Sequence, residues 1–94
     1  MTTEATTVIE IHSNKWKNDG LIPGDVLCVR EADSLFDGKV VVGKYNGKVF
    51  FKRCHLSGEL IRLETMREGT ADPFSLPIED VKILYIVESR IRPV

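Results

Sequence analysis

Lys39-Val40-Val41-Val42-Gly43-Lys44-Tyr45, then Asn46-Gly47, then Lys48-Val49-Phe50-Phe51-Lys52-Arg53-Cys54 is the stretch whose reading decides the fold. Two apolar, β-branched and aromatic runs flank Asn-Gly, the dipeptide best suited to a type I′ turn, which needs positive φ at both central residues. The stretch predicts a β-hairpin whose far strand carries an inward-reaching lysine, Lys52. Just upstream, Ser34-Leu35-Phe36-Asp37-Gly38 reads as a loop in which Leu35 and Phe36 fold back as a lid on the core. Before that, Val26-Leu27-Cys28-Val29 is bounded by Pro23-Gly24 and by Glu31-Ala32-Asp33, which is strand punctuation. Val8-Ile9-Glu10-Ile11 is a short β-branched strand, and His12 to Asp19 a loop or a single helical turn around Trp16.

Downstream, Ser57-Gly58 closes a second hairpin into Leu60-Ile61-Arg62-Leu63-Glu64-Thr65, whose apolar Ile61 and Leu63 alternate with charged neighbours. Met66 to Pro77, with two prolines and a glycine, reads as a long surface loop anchored by Phe74 and Leu76. Val81 to Ile91 is the last strand; Ile83-Leu84-Tyr85-Ile86-Val87 is apolar on both faces, which predicts a central or fully covered position. Five to seven short strands and no convincing long helix define an all-β fold with a small barrel-like core. Residues 1–7 are expected to be a flexible, threonine-rich segment and residues 8–94 one domain.

At 94 residues the chain can bury one modest core. Its formal net charge of −1, with Lys and Arg scattered along the chain, gives no electrostatic footprint for nucleic acid. No apolar run reaches membrane-spanning length and no signal-peptide pattern opens the sequence. Cys28 and Cys54 both fall in expected strands, which suits reduced thiols in a cytoplasmic protein. His12, His55 and Cys54 do not have chelating spacing, because Cys54 and His55 alternate faces of one strand, so neither metal nor cofactor is expected. Gly24, Gly38 and Gly47 are turn residues rather than a phosphate cradle, since no helix follows them. Asp25 is expected to accept backbone amides at the Pro23-Gly24 turn.

Four local patterns, taken in order, resemble the C-terminal domain of the LexA repressor and UmuD, the self-cleaving Ser–Lys peptidases. They are Gly20-Leu21-Ile22-Pro23-Gly24-Asp25, Asp37-Gly38-Lys39-Val40-Val41-Val42, Phe51-Lys52-Arg53 and Arg90-Ile91-Arg92-Pro93. The resemblance spans about Val8 to Pro93. It implies coiled β-sheets of the LexA and signal-peptidase kind, dimerisation, and a serine nucleophile activated by a neutral lysine that cuts the chain's own linker.

An ungapped reading from Ile11 to Asp25 puts the family's Gly-Asp-Ser-Met turn on Ser13-Asn14-Lys15-Trp16, with Lys15 at the nucleophile position and Lys52 as the retained base. Lys15 supplies no hydroxyl and sets a second ammonium beside Lys52; its long, flexible side chain is expected to turn to solvent, the alternative being that one amine is neutral. The family's cleavable Ala-Gly or Cys-Gly dipeptide does not occur in these residues. The expectation is a degenerate peptidase-like domain, a homodimer or a binder of an extended peptide, in transcriptional repression or a stress response. No nucleic acid and no membrane partner are expected of this chain. Asn14, Trp16, Gly24, Asp25 and Arg53 then support the old groove, with Trp16 as a hydrophobic plug. The alternative is an active Ser–Lys autopeptidase using Ser13 and Lys52, through a slip that keeps the strand face. An unrelated small β-barrel binding module stands as a third reading.

Overall fold

A computed structural model of the protein describes residues 7–64 and 74–93. The elements in order are β1 (Thr7–Glu10), the 3-10 turn η1 (Asn14–Asp19), β2 (Val26–Glu31), β3 (Val40–Tyr45), β4 (Lys48–Ser57), β5 (Leu60–Glu64), β6 (Phe74–Pro77), the 3-10 turn η2 (Ile78–Asp80) and β7 (Val81–Ile91). All seven strands join one antiparallel sheet in the order β1-β2-β7-β3-β4-β5-β6. The all-β expectation therefore holds, and β7 takes the central place that its double-sided apolar run indicated.

The β3–β4 hairpin turns as its Asn-Gly dictates, with Asn46 at φ 51° and Gly47 at φ 74°. β4 continues three residues past the expected Cys54, to Ser57, so the tight loop to β5 is Gly58–Glu59. Two further expectations need correcting. Phe74 to Pro77 is a strand paired with β5 rather than loop anchors, while residues 66–73 of the expected loop lie outside the described ones. Prolines flank this segment and mask its alternation; Pro77 is tolerated because β6 is an edge strand. In the Ser34–Gly38 loop, Phe36 packs on the core, whereas Leu35 is 67% exposed. Asp33 Oδ1 accepts the Leu35 amide at 2.8 Å, and this side-chain turn leaves Leu35 outside. β1 begins at Thr7, one residue inside the segment expected to be flexible; residues 1–6 lie outside the described ones.

Strand alternation splits the core in two. Ile11, Leu21, Leu27, Val29, Val42 and Phe51 form one buried cluster, with Trp16, Tyr85 and Val87 against it. Val41, Phe50, Cys54, Ile61, Leu63 and Ile86 form the other. Neighbours in sequence on β3, β4 and β7 thus serve opposite sides, because successive side chains of a strand point apart. A wide twisted sheet coils, and each half covers its own hollow. Two register shifts, at Cys28/Val29 against β7 and at Val42/Gly43 against β7, supply the bending. Gly43 is required at the second: a Cβ there would sit 2.5 Å from Phe50 Cζ and 2.8 Å from the Lys82 carbonyl oxygen.

Candidate functional site: a lysine and its carboxylate under the 3-10 turn

The site is built by η1. Ser13 caps it from extended backbone, its Oγ accepting the Lys15 amide at 3.1 Å. Gly20 ends it in the left-handed region at φ 87°, its N–H donating to the Lys17 carbonyl at 3.0 Å. Trp16 anchors the turn by an edge-to-face contact with Phe51 of β4, centroids 4.8 Å apart and planes at 80°. With both ends tied and the indole seated, the last residue of η1, Asp19, is buried. Asp19 Oδ1 accepts from Lys52 Nζ at 2.7 Å, with side-chain exposures of 12% and 18%.

The group beside the Lys52 amine is the Asp19 carboxylate, and Lys15 turns to solvent. Lys15 is exposed and lines an open hollow with Trp16, Lys48 and Val49 near the hairpin tip. The physical reason is the direction of the 3-10 turn, which points position 19 inward and leaves positions 14 and 15 outward. Ser13, the alternative nucleophile, uses its hydroxyl on the Lys15 amide, and Asn14 is exposed. Among the described residues no hydroxyl is hydrogen-bonded to Lys52.

The remaining resemblance motifs prove to be tied to one another in pairs. Asp25, fully buried, meets Arg92 in a fork: Nε to Oδ1 at 2.8 Å and Nη2 to Oδ2 at 2.9 Å. Asp25 Oδ2 also accepts the Ile22 amide at 3.0 Å, the turn role expected of it. Arg92 and Arg90 both donate to the Gly20 carbonyl, at 2.8 and 3.1 Å. The Arg92 guanidinium, opposed by the cost of burial, holds the Asp25 carboxyl down at about 2 against the ordinary 3.8. Gly24, at φ 97°, donates its N–H to the Ile11 carbonyl at 2.8 Å and so fixes the loop that carries Asp25.

The second pair of motifs meets at Arg53, whose Nη1 donates to the Gly38 carbonyl at 2.9 Å, while Gly38 N–H donates to Cys54 O at 2.8 Å. Cys54 is buried, its thiol directed at the Phe36 carbonyl at 3.3 Å, and burial pushes it up to about 11. At neutral pH it is a thiol, a packing residue and no nucleophile. His55 Nε2 lies 2.8 Å from Glu64 Oε1 on the neighbouring strand; His12 is exposed beside Glu10.

Asp19 and Arg92 are the functional side chains to which the sequence reading assigned no role. The signal for Asp19 lay in its setting: an inward lysine needs an opposite charge, and Asp19 is the sole acid of the otherwise basic turn Lys15-Trp16-Lys17-Asn18-Asp19.

A single coiled antiparallel sheet with a half-buried strand lysine facing the turn before β2 defines the class: an all-β domain. The known proteins it is similar to are LexA repressors. The chain is 29% identical over 68 residues to the LexA repressor of Aliivibrio salmonicida, covering 72% of this chain and 33% of that one. It is 28% identical over 79 residues to the LexA repressor of Haemophilus influenzae (strain PittGG), 84% of this chain and 38% of that one. To the LexA repressor of Glaesserella parasuis it is 32% identical over 59 residues, 63% and 28% of the two chains. No family model matches the chain. These similarities support a LexA-like domain, and the chain spans about a third of the length of the curated relatives it matches.

Proposed function

We propose that this chain is the regulatory domain of a LexA-like repressor or stress-response protein in which the peptidase machinery is degenerate, leaving a cytoplasmic module that holds an extended peptide. The observation that carries the reading is the 2.7 Å contact between Lys52 Nζ and Asp19 Oδ1. A lysine that serves as general base must offer its lone pair to a nucleophile's proton. Here the amine donates to a carboxylate, Lys15 stands where the resemblance places the nucleophile, and the Ser13 hydroxyl caps η1.

The test is incubation of the protein at alkaline pH together with an Ala-Gly peptide, followed by mass spectrometry. Both chain and peptide are expected to keep their masses, and a fluorophosphonate is expected to leave Ser13 unlabelled. Cleavage that disappears in Ser13→Ala establishes the active autopeptidase instead. Lys15→Ser alone is expected to stay inactive, because Asp19 still occupies the amine. Lys15→Ser combined with Asp19→Asn frees Lys52 and asks whether the old dyad geometry survives.

A further inference from the structure

The sheet does not stay paired along the whole of β7. Its register with β3 runs from Val81 to Ile86, and beyond that point, among the described residues, β7 pairs with β2 alone. β3 has turned away, so Val40 pairs only with Arg53 of β4. The backbone of Val87–Ile91 therefore presents an open strand edge, in the middle of the sheet, to a cleft of about 620 Å³. Lys39 and Arg53 stand on the far wall, Arg30 and Arg90 on the near one, and Glu88 is the acid that lines it.

The charges in this cleft are poorly matched. Arg30 already pairs with Asp33 and Glu88. Arg53 and Arg90 each donate to a backbone carbonyl and hydrogen-bond no carboxylate among the described residues. Lys39 is exposed and has no side-chain partner among them. An open edge offers hydrogen bonds to any extended chain, and alternate side chains of that chain then share one face of the sheet, between the two walls.

We propose that the cleft between β7 and the start of β3 takes an extended acidic peptide as an added strand along Val87–Ile91, with carboxylates at every second position facing Lys39, Arg53 and Arg90. A second copy of this chain is the competing occupant: antiparallel pairing about Ser89 would set Glu88 against Arg90, but it would also gather two sets of Lys39 and Arg53 about one axis, a repulsion an acidic peptide does not meet. The inference gives the proposed peptide-binding function its site and ligand chemistry, and rests on that part of the reading. It does not depend on the loss of catalysis, since Ser13, Asp19 and Lys52 lie outside the cleft lining. Peptidase activity would thus sink the degenerate reading and leave this one standing.

The experiment is fluorescence anisotropy of the full chain with a labelled peptide of alternating threonine and glutamate. The controls replace every glutamate by lysine, or every threonine by proline. The glutamate peptide is expected to bind, with amide shifts in nuclear magnetic resonance centred on Val87–Ile91. The lysine peptide is expected not to bind, and the proline peptide, lacking half the backbone donors, to bind about tenfold more weakly. Lys39→Glu, an exposed change whose folding circular dichroism can check, is expected to weaken the glutamate peptide about tenfold. Equal binding of the glutamate and proline peptides would reduce the cleft to a diffuse cationic patch and overturn the proposal. So would an oligothymidylate that binds as tightly as the peptide. A dimer in sedimentation whose amide shifts map to Val87–Ile91 would assign the edge to a second copy, and that also overturns it.

Discussion

Asp19 stands just before Gly20 and Asp25 just after Gly24; both are buried, and each meets a cation distant in sequence, yet the two pairs are built for different ends. Asp25 and Arg92 meet in a planar fork, the carboxylate takes a third bond from the Ile22 amide, and Arg92 Nη2 also donates to the Gly20 carbonyl. Asp19 and Lys52 meet at a single point through a flexible four-carbon stem. The difference teaches where the fold needs a fixed geometry and where it tolerates substitution. A fork specifies both partners and their planes, whereas a point contact specifies only charge.

The largest effect should follow from breaking the fork. Asp25→Ala is expected to cost about 3 kcal/mol in urea denaturation, because it leaves a guanidinium and a backbone amide without their acceptor. Arg92 is 43% exposed, which places the cost at the low end for a buried pair. Acid should reveal the same interaction. The folded Asp25 carboxyl lies at about 2 against the ordinary 3.8, so its stabilisation is complete above about pH 4 and is lost as pH falls toward 2. At most about 2 kcal/mol is involved, less the screening at the open side of Arg92. Stability of the wild type should fall across that window more steeply than that of Asp25→Asn; parallel curves would show that the fork does not set the acid limb.

Arg92→Lys sharpens the comparison by turning the fork into a point contact, at an expected cost of about 1 kcal/mol. The Lys52 pair should give the smallest net effect. Lys52→Met alone is expected to cost about 1–2 kcal/mol by stranding Asp19, while Lys52→Met with Asp19→Leu should return within about 0.5 kcal/mol of wild type. A double change as costly as the single one would mean that the pair fixes the seat of η1 and is no exchangeable remnant.

How much of this was legible in sequence follows the same division between local and distant causes. β7 was readable to its end residues because its apolar run is long and bounded by charged and proline-containing flanks. The β3–β4 hairpin was readable because Asn46-Gly47 encodes its own backbone angles. β6 was not, since four residues ending in Pro77 carry too little alternation, and their pairing with β5 comes from tertiary context. At the site, Lys52 was found through the resemblance, and Lys15 was expected at the nucleophile position with its amine turned to solvent, but Asp19 was not read as the partner of Lys52. Which residue of a six-residue 3-10 turn faces inward depends on how Trp16 seats on Phe51. Asp25 was placed correctly at its turn; Arg92 was quoted in a motif without a role, because its partner is 67 positions away.

That separation has a consequence for the order in which the molecule can be made. β3, β4 and β5 are joined by tight hairpins and can pair as soon as they leave the ribosome, since local contacts close at small entropic cost. β2 cannot complete its sheet at that stage. Its inner neighbour is β7, the last of the described strands in chain order, and the counter-ion of Asp25 follows β7 at position 92. Until β7 and Arg92 have emerged, the segment from β1 to β2 holds a carboxylate that would be buried without a partner, a state costly enough to keep that segment open. These strands are therefore expected to fold from the β3–β5 hairpins outward and to be sealed by Arg92, so that a chain stalled or cut before Arg92 keeps its hairpins and loses the pairing of β1 and β2 with the rest of the sheet.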